Sequence, residues 1–545
     1  MTQPADSSLE EQNDGLRAEL GAITDIGLAL SAERDLNSLL STVLTKARWL
    51  ARADAGSLYL VEGDHNKKLR FVLAQNDSLE VPFVEMLLEI THRTIVGHAA
   101  LSRETINVPD VYHLPEEAPY SFSTRFDESV GYRCKSMLVI PMIDHKERVI
   151  GCLQLINRKR DRNTVLEGRS HAEEIVESFP VDTVRLMESL ASQSAVAIDK
   201  ARLIDDLENT FEGLVMASVI AIEARDPTTS GHSERVAKLS VALAKAISDT
   251  GTGKFKEIEF TQTQLKELRY ASLLHDFGKV GVRERILVKA KKLYPWELEN
   301  VKLRFLCAIR EREARALREL IGMITKGGQG FDPKPFVEAA EQAIAGETQR
   351  LLDLLDMVLR DNEPRLLPEG HAELLHHVCS EHYTDLQGTG QPLLLAEEVR
   401  NLAIPRGSLN REERLEIESH VSHTYSFLSR IPWTEELRDL PKIAGGHHEK
   451  LDGSGYPHGL TDAEIPAQSK IMSVADIFDA LTAWDRPYKK AVPLEKALAI
   501  LDAEAKANHL EAQLVEIFKE RKLYDCVVRG RTESGTFHRS SLERM

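Results

Sequence analysis

The side chains in this chain that can do chemistry are histidines and aspartates set into helical patterns. His232 precedes Val236, Leu239 and Leu243 by four, seven and eleven residues, so it shares the buried stripe of a helix. His275 follows Leu268 and Ala271 at seven and four residues, and Asp276 adjoins it before Gly278 stops the helix. Ile417, His420, Val421, Thr424 and Leu428 make one inward face, and Met472, Ala475, Asp476 and Asp479 make another. The pair His447-His448 follows two glycines and precedes a glycine-rich loop. A lone inward histidine is ordinarily a core residue, but an inward histidine beside an inward carboxylate needs a partner or a metal. Nitrogen and carboxylate donors without thiolate suit divalent iron, manganese, nickel or zinc. An aspartate shared by two such ions gives a centre that activates water for phosphate-ester cleavage.

These residues must be positioned by helices. From Thr183 onward, Met187, Leu190, Ala197, Ala201, Ile204 and Phe211 recur at helical steps, with Ser194 and Glu208 interrupting the seam. That pattern fits a helix that pairs with its copy in a dimer, and equally one packed on its own domain. Beyond Phe211 the pattern is helical to about residue 520, apart from 326–335 and 385–408. Ahead of it, strand patterns at 57–61 and 69–74 flank a polar turn, and SMLVIPMIDHKERVIGCLQLIN (136–157) reads as a second hairpin. Two hairpins framed by helices make an α+β domain. Its first helix is expected over Leu16, Leu20, Ile23 and Leu30, and residues 1–15 and 521–545 read as tails.

The 545 residues carry 86 Asp and Glu against 69 Lys and Arg, a net charge of −17, which excludes a broad nucleic-acid-coating surface. No DNA or RNA partner is expected. The length calls for roughly three to five structural units. No apolar run approaches the ~20 residues of a membrane span, and the opening MTQPADSSLEEQNDG is polar and acidic, so a cytoplasmic location is expected. The five cysteines lie far apart without a CxxC pair, which fits reduced thiols and gives no zinc knuckle.

On the hairpin VIGCLQLIN and the closing helix LASQSAVAIDKARL, residues 16–203 resemble a GAF sensor domain. GAF members that bind cyclic nucleotides use an Asn-Lys pair, a Phe and an Asp-Glu pair. Here Asn157-Arg158, Phe179 and Asp182-Thr183 match only in part, so the ligand of this domain stays unknown. The second half resembles an HD-GYP phosphodiesterase through GHSERVA, HDFGK, HHEKLDGSGYP and VADIFDAL. The resemblance implies hydrolysis of cyclic di-GMP to linear pGpG, GMP or both. It also implies two divalent ions, iron or manganese: one on His232, His275, Asp276 and Asp476, the other on Asp276, His420, His447 and His448. Asp276 would bridge them, Lys279 would stabilise charge at the scissile phosphate, and Tyr456, Arg486 and Lys489 would join Lys279 in binding substrate. Two metals rather than three are expected because Thr228 stands where three-metal members carry a glutamate.

The resemblance implies an α+β GAF domain with an antiparallel sheet, joined by a linker helix (183–211) to an all-α HD-GYP domain. That domain is split into 212–292 and 407–520 by a helical insertion, 293–406. The split is read from a repeated signature. KKLYPWELENVKLRF puts Arg304 eleven residues after Leu293, whereas GSLNREERLEIESHV puts His420 eleven after Leu409, so only the second copy supplies a ligand. Within the insertion, His371, His376, His377 and His382 lack clean i, i+4 spacing and read as a solvated face. The segment is alternatively a lid or dimer contact. Three functional readings remain open: the phosphodiesterase, regulated by its GAF domain and dimeric through the linker helix; a catalytically weak cyclic di-GMP receptor or a module that binds a signalling protein through the GYP loop; and a phosphohydrolase of another nucleotide.

Overall fold

The computed structural model describes residues 27, 33, 35–63, 67–79, 85–226, 230–250, 253–328, 331–385, 387–483 and 491–528. The chain divides into two compact units, Met1–Phe211 and Glu212–Met545.

In the first unit, helix α1 (Leu36–Ala51) starts at Asp35, whose carboxylate accepts a hydrogen bond from the Ser38 amide at 2.7 Å. Its inner stripe is Leu39, Leu40, Val43, Leu44 and Ala47. The sequence reading missed this helix although cap and periodicity were both visible, and the helix expected over 16–30 lies, apart from Gly27, outside the described residues. Strands β1 (Ala53–Glu62), β2 (Lys68–Asn76), β3 (Met86–Glu89), β4 (Ile106–Val108), β5 (Met137–Ile143) and β6 (Val149–Lys159) form an antiparallel sheet in the order β3-β2-β1-β6-β5-β4. A seventh strand, β7 (Val176–Glu177), pairs with β6. The two hairpins read from the sequence are β1–β2 and β5–β6.

Both faces of the sheet are covered. Leu58, Leu60, Leu153 and Leu155 pack with α1 and the first half of a long helix, whereas Tyr59, Val139 and Cys152 face α2 (Ile95–Ser102) and the loops beyond it. Short helices α3 (Arg125–Val130) and α4 (Arg169–Ile175) complete this layer. The long helix, α5, runs Val181–Glu223, starting close to the expected start of the linker and running well past its expected end. Its buried stripe is Met187, Leu190, Ala191, Ser194, Ala195, Ile198 and Ala201. Ser194, expected to interrupt the seam, is buried within it, and Ile204, expected inside, is exposed. The seam therefore packs on its own domain over this stretch, because small residues let the helix lie close to the sheet.

The second unit is built from α6 (His232–Ser248), α7 (Gln262–Leu274), α8 (Glu284–Leu287), α9 (Pro295–Lys326), α10 (Lys334–Asp361), α11 (His371–Ser380), α12 (Ala396–Leu402), α13 (Arg411–Leu428), α14 (Leu440–Gly445), α15 (Ala467–Thr482), α16 (Leu494–Lys506), α17 (Ala512–Glu520) and α18 (Asp525–Val528). A small hairpin, β8 (His382–Thr384) with β9 (Gly390–Pro392), lies between α11 and α12. Residues 293–402 have a core of their own, with Val301, Phe305, Leu351, Val358, Leu375, Leu393 and Leu402 packed together. This segment leaves and rejoins the flanking helices at a polar neck. The buried Lys292 ammonium donates to the Leu402 carbonyl (2.8 Å), Ser408 to the Lys289 carbonyl (2.9 Å), and Asn410 to Asn401 (3.0 Å). Residues 521–528, expected in a tail, join the helical unit: Tyr524 stacks on Phe478 and lies tilted against Phe518, and α18 follows it, because an aromatic side chain there has a core to enter. No helix among the described residues is long and apolar enough to cross a membrane.

Candidate metal centre

His232, His275, Asp276, His447 and His448 sit at or just beyond helix ends, whereas His420 and Asp476 project from the middle of α13 and α15. His232 opens α6, where the Glu223 carboxylate accepts hydrogen bonds from the amides of Gly231 (2.8 Å) and Ser233 (3.1 Å) and so satisfies that helix start. His275 and Asp276 follow α7 directly. Gly278 lies so close to α13 that a Cβ there would overlap the His420 carbonyl. Its amide donates to the Thr424 hydroxyl (2.8 Å), which donates to the His275 carbonyl (2.9 Å), so α13 and the His275 turn are locked together. Ser469 and Ser473 of α15 donate to the carbonyls of Ile443 (2.8 Å) and His447 (2.6 Å) and fix Asp476 beside the histidine pair.

The seven side chains converge. His232 Nε2 lies 3.2 Å from Asp476 Oδ1 and 3.9 Å from Asp276 Oδ2, and His275 Nε2 lies 3.5 Å from Asp276 Oδ2 and 3.9 Å from Asp476 Oδ1. On the other side, His420 Nε2 is 3.3 Å from Asp276 Oδ1. Donor atoms of His420, His447 and His448 lie within 4.8 Å of one another, as do those of His232, His275 and Asp476, and those of His275, Asp276 and His447. Asp276 thus faces both groups, one oxygen toward each.

The orientation of the rings carries the metal argument. Nδ1 of His275, His420 and His447 each meets the backbone carbonyl three residues earlier, of Ser272 (2.7 Å), Ile417 (2.5 Å) and Ala444 (2.6 Å). That fixes Nδ1 as the protonated nitrogen and turns an unprotonated Nε2 into the shared space. Nε2 of His420 and of His447 is buried without a hydrogen-bond partner. Orphaned acceptors converging on two ionised carboxylates fit a divalent cation.

The electrostatics agree. Burial pushes the His275 imidazole down and, with His448 and His275 nearby, pushes His447 well down; burial takes His448 to about 4. These rings are neutral and ready to bind. Burial also opposes ionisation of both aspartates. Even so, the Lys279 ammonium beside it holds Asp276 well below the usual carboxylate range, and His232 does the same for Asp476. Lys279 Nζ sits 2.9 Å from Asp276 and 3.1 Å from the buried Asp226, and these two carboxylates outweigh burial to raise its ammonium.

Tyr456 lies with its ring centroid 4.8 Å from that of His448, at the rim of the cluster. Its loop is held from below by Glu449, whose buried carboxylate accepts from the amides of His458 (2.8 Å) and Leu460 (2.9 Å). Arg486, Lys489 and Thr228 lie outside the described residues.

Arg304 does not join the centre: it pairs with Glu398 and the Leu393 carbonyl inside the insertion. His376, His377 and His382 are exposed, and His371 is held by Asp361 at 2.9 Å. In the first unit, Asn157 braces the backbone of Arg133 and Lys135, Arg158 pairs with Glu177, and Phe179 is in the core. Sequence reasoning missed the roles of Asp226, Arg235, Thr424 and Glu449. Their only sequence signal was proximity to a ligand or motif, because each partner lies far along the chain or across a loop.

Family comparisons match the GAF domain over residues 35–198 and HD domains over 229–358 and 386–514. A probable cyclic di-GMP phosphodiesterase of Vibrio cholerae is 42% identical over 445 residues, covering 81% of this chain and 68% of that protein. The cyclic di-GMP phosphodiesterase response regulator RpfG of Xanthomonas campestris is 44% identical over 127 residues, 23% of this chain and 30% of its own. The 3'3'-cGAMP-specific phosphodiesterase 3 of Vibrio cholerae is 43% identical over 96 residues, 18% of this chain; this chain spans 20% of that relative's length.

Proposed function

This chain belongs to the GAF-containing branch of the HD-GYP phosphodiesterases, and from that premise we propose that it hydrolyses cyclic di-GMP to linear pGpG, GMP or both. The observation that carries the reading is the convergence of five histidines and two aspartates with unpartnered Nε2 atoms turned inward. One divalent ion would be held by His232, His275, Asp276 and Asp476, and another by Asp276, His420, His447 and His448. Iron or manganese suits this donor set. When bound, the ions neutralise phosphate charge and lower the pKa of water.

The remaining work falls to the protein. Lys279 presents a fixed positive charge beside the bridging carboxylate, where it stabilises charge developing on the phosphate oxygens. Tyr456 offers a ring face at the rim for a base or sugar, and Arg486 and Lys489 are proposed to grip the phosphates. The GAF domain is proposed to regulate turnover, and α5 to pair two copies. On α5, Val196, Leu203, Leu207 and Leu214 stay exposed at spacings of seven, four and seven, the repeat of a coiled-coil seam.

The test is turnover by protein loaded without oxygen with Fe(II) or Mn(II), followed by chromatography of the products. Asp276→Ala should abolish it, and cyclic di-GMP bound without loss would favour the receptor reading instead. The shared segment with a 3'3'-cGAMP-specific relative supports a second substrate reading, so the panel includes that dinucleotide. Turnover of it alone would replace cyclic di-GMP in this proposal.

A further inference from the structure

His232 differs from the other buried ligands in how its ring is held. His275, His420 and His447 each present Nδ1 to a carbonyl of their own preceding turn, three residues back. His232 is the first residue of α6, so no earlier helical turn offers such a carbonyl. Its Nδ1 instead donates to Asp479 Oδ2 at 2.8 Å, from the neighbouring helix α15. Asp479 is 2% exposed and is clamped in turn by Arg235, through Nε to Oδ1 (2.6 Å) and Nη2 to Oδ2 (3.0 Å). Arg235 lies three residues after His232 on the same helix face, so α6 supplies both the ring and the cation that steadies its partner. With both oxygens engaged, Asp479 is turned away from the ligand role that Asp476, three residues earlier, takes.

We propose that Asp479, clamped by Arg235, is a positioning residue that makes the His232–His275–Asp476 metal site depend on a carboxylate from another helix, while the His420–His447–His448 site does not. The inference rests on the two-metal reading above. Physically, a ring with no fixed Nδ1 partner turns about its Cβ–Cγ bond and exchanges tautomers, and both movements take Nε2 out of the site. In the neighbouring site the backbone carbonyl of Ala444 holds His447, and that of Ile417 holds His420. The two sites would therefore be inequivalent: His420 and His447 of one are held by their own backbone, and His232 of the other by a bridge between α6 and α15.

The experiment is equilibrium dialysis of the metal-free full chain against Mn(II), with metal counted by mass spectrometry and electron paramagnetic resonance recorded on the same samples. The wild-type chain should take up two ions and show a coupled pair. Asp479→Asn should keep one tight ion with an uncoupled signal and bind the second about 10- to 100-fold more weakly. Arg235→Ala should show a smaller loss at the same site. Wild-type uptake and coupling in Asp479→Asn would overturn the proposal. So would loss of both ions, since that would make the pair a general brace. A wild-type chain that takes up no Mn(II) would overturn the metal reading itself, a result distinct from an unaffected variant.

Discussion

Loading the metal-free protein should release a proton from His232, and the size of this effect follows from the geometry. Burial alone would lower this imidazole, but Asp476 and Asp479, one at each ring nitrogen, outweigh it and raise the group to about 9. At pH 7 the ring of the metal-free chain is therefore charged, with Nδ1–H directed to Asp479 and Nε2–H facing Asp476 Oδ1 at 3.2 Å. An ion can bind Nε2 only after that proton leaves. Two pH units below the pKa, the cost is about 2.7 kcal/mol, roughly a 100-fold weakening relative to the deprotonated site. The sign is fixed: affinity at this site rises about tenfold per pH unit from pH 7 and levels off near pH 9. In the metal-free chain the same proton stabilises the fold. That contribution is fully present below pH 6.5 and is lost as the pH rises through about 9. The assay is titration calorimetry with Mn(II) under nitrogen, between pH 7 and 8.5, in two buffers of different ionisation enthalpy. About one proton released per chain at this site is expected. No release at pH 7, or affinity that is flat across the range, would refute the assignment of opposed carboxylates to the two nitrogens of His232.

Three further perturbations probe the supports of the centre. Gly278→Ala places a methyl group against the backbone of His420 and Thr424, so α13 must move; loss of at least one bound ion is expected by metal analysis, with the first unit still folded by proteolysis. Glu449→Ala removes the buried acceptor for two partly buried amides and should cost about 1–3 kcal/mol in a denaturation series. It should also raise KM more than it lowers kcat, because it loosens the Tyr456 loop rather than the ligands. Leu207→Glu, on the exposed stripe of α5, should convert a dimer to a monomer in light scattering without altering metal content, and an unchanged mass would count against pairing through that helix.

The duplicated signature in the catalytic half shows how far local chemistry can be read. Both copies start helices in the same way: Glu297 accepts from the Tyr294 amide at 2.7 Å, and Glu413 accepts from the Asn410 amide at 3.0 Å. The repeated Leu-x-x-x-Glu is thus the mark of a helix start, and it exposed the segment between the copies. Neither copy reveals by itself that Arg304 turns to Glu398, 94 residues away, while His420 turns to Asp276. In the first unit the hairpins were legible because alternating strands carry their own period. The burial of Ser194 in α5 was not, because it depends on packing that the period of a single helix does not encode.

The sequence by itself determined which helix faces carry histidine and aspartate, in what order, and that thiolates take no part. Those facts depend on periodicity within single helices, where neighbours three and four residues apart share a face. The tertiary structure decided which carboxylate backs which ring and which cation steadies it. His232 and Asp479 are 247 residues apart, and Lys279 and Asp226 are 53 apart. Such bonds exist only once helices have packed at fixed distance and angle, so no local pattern encodes them. The asymmetry between the two proposed metal sites belongs to this second kind. It arises because His232 opens its helix and must take from a neighbour the hydrogen-bond partner that His275, His420 and His447 take from their own backbone.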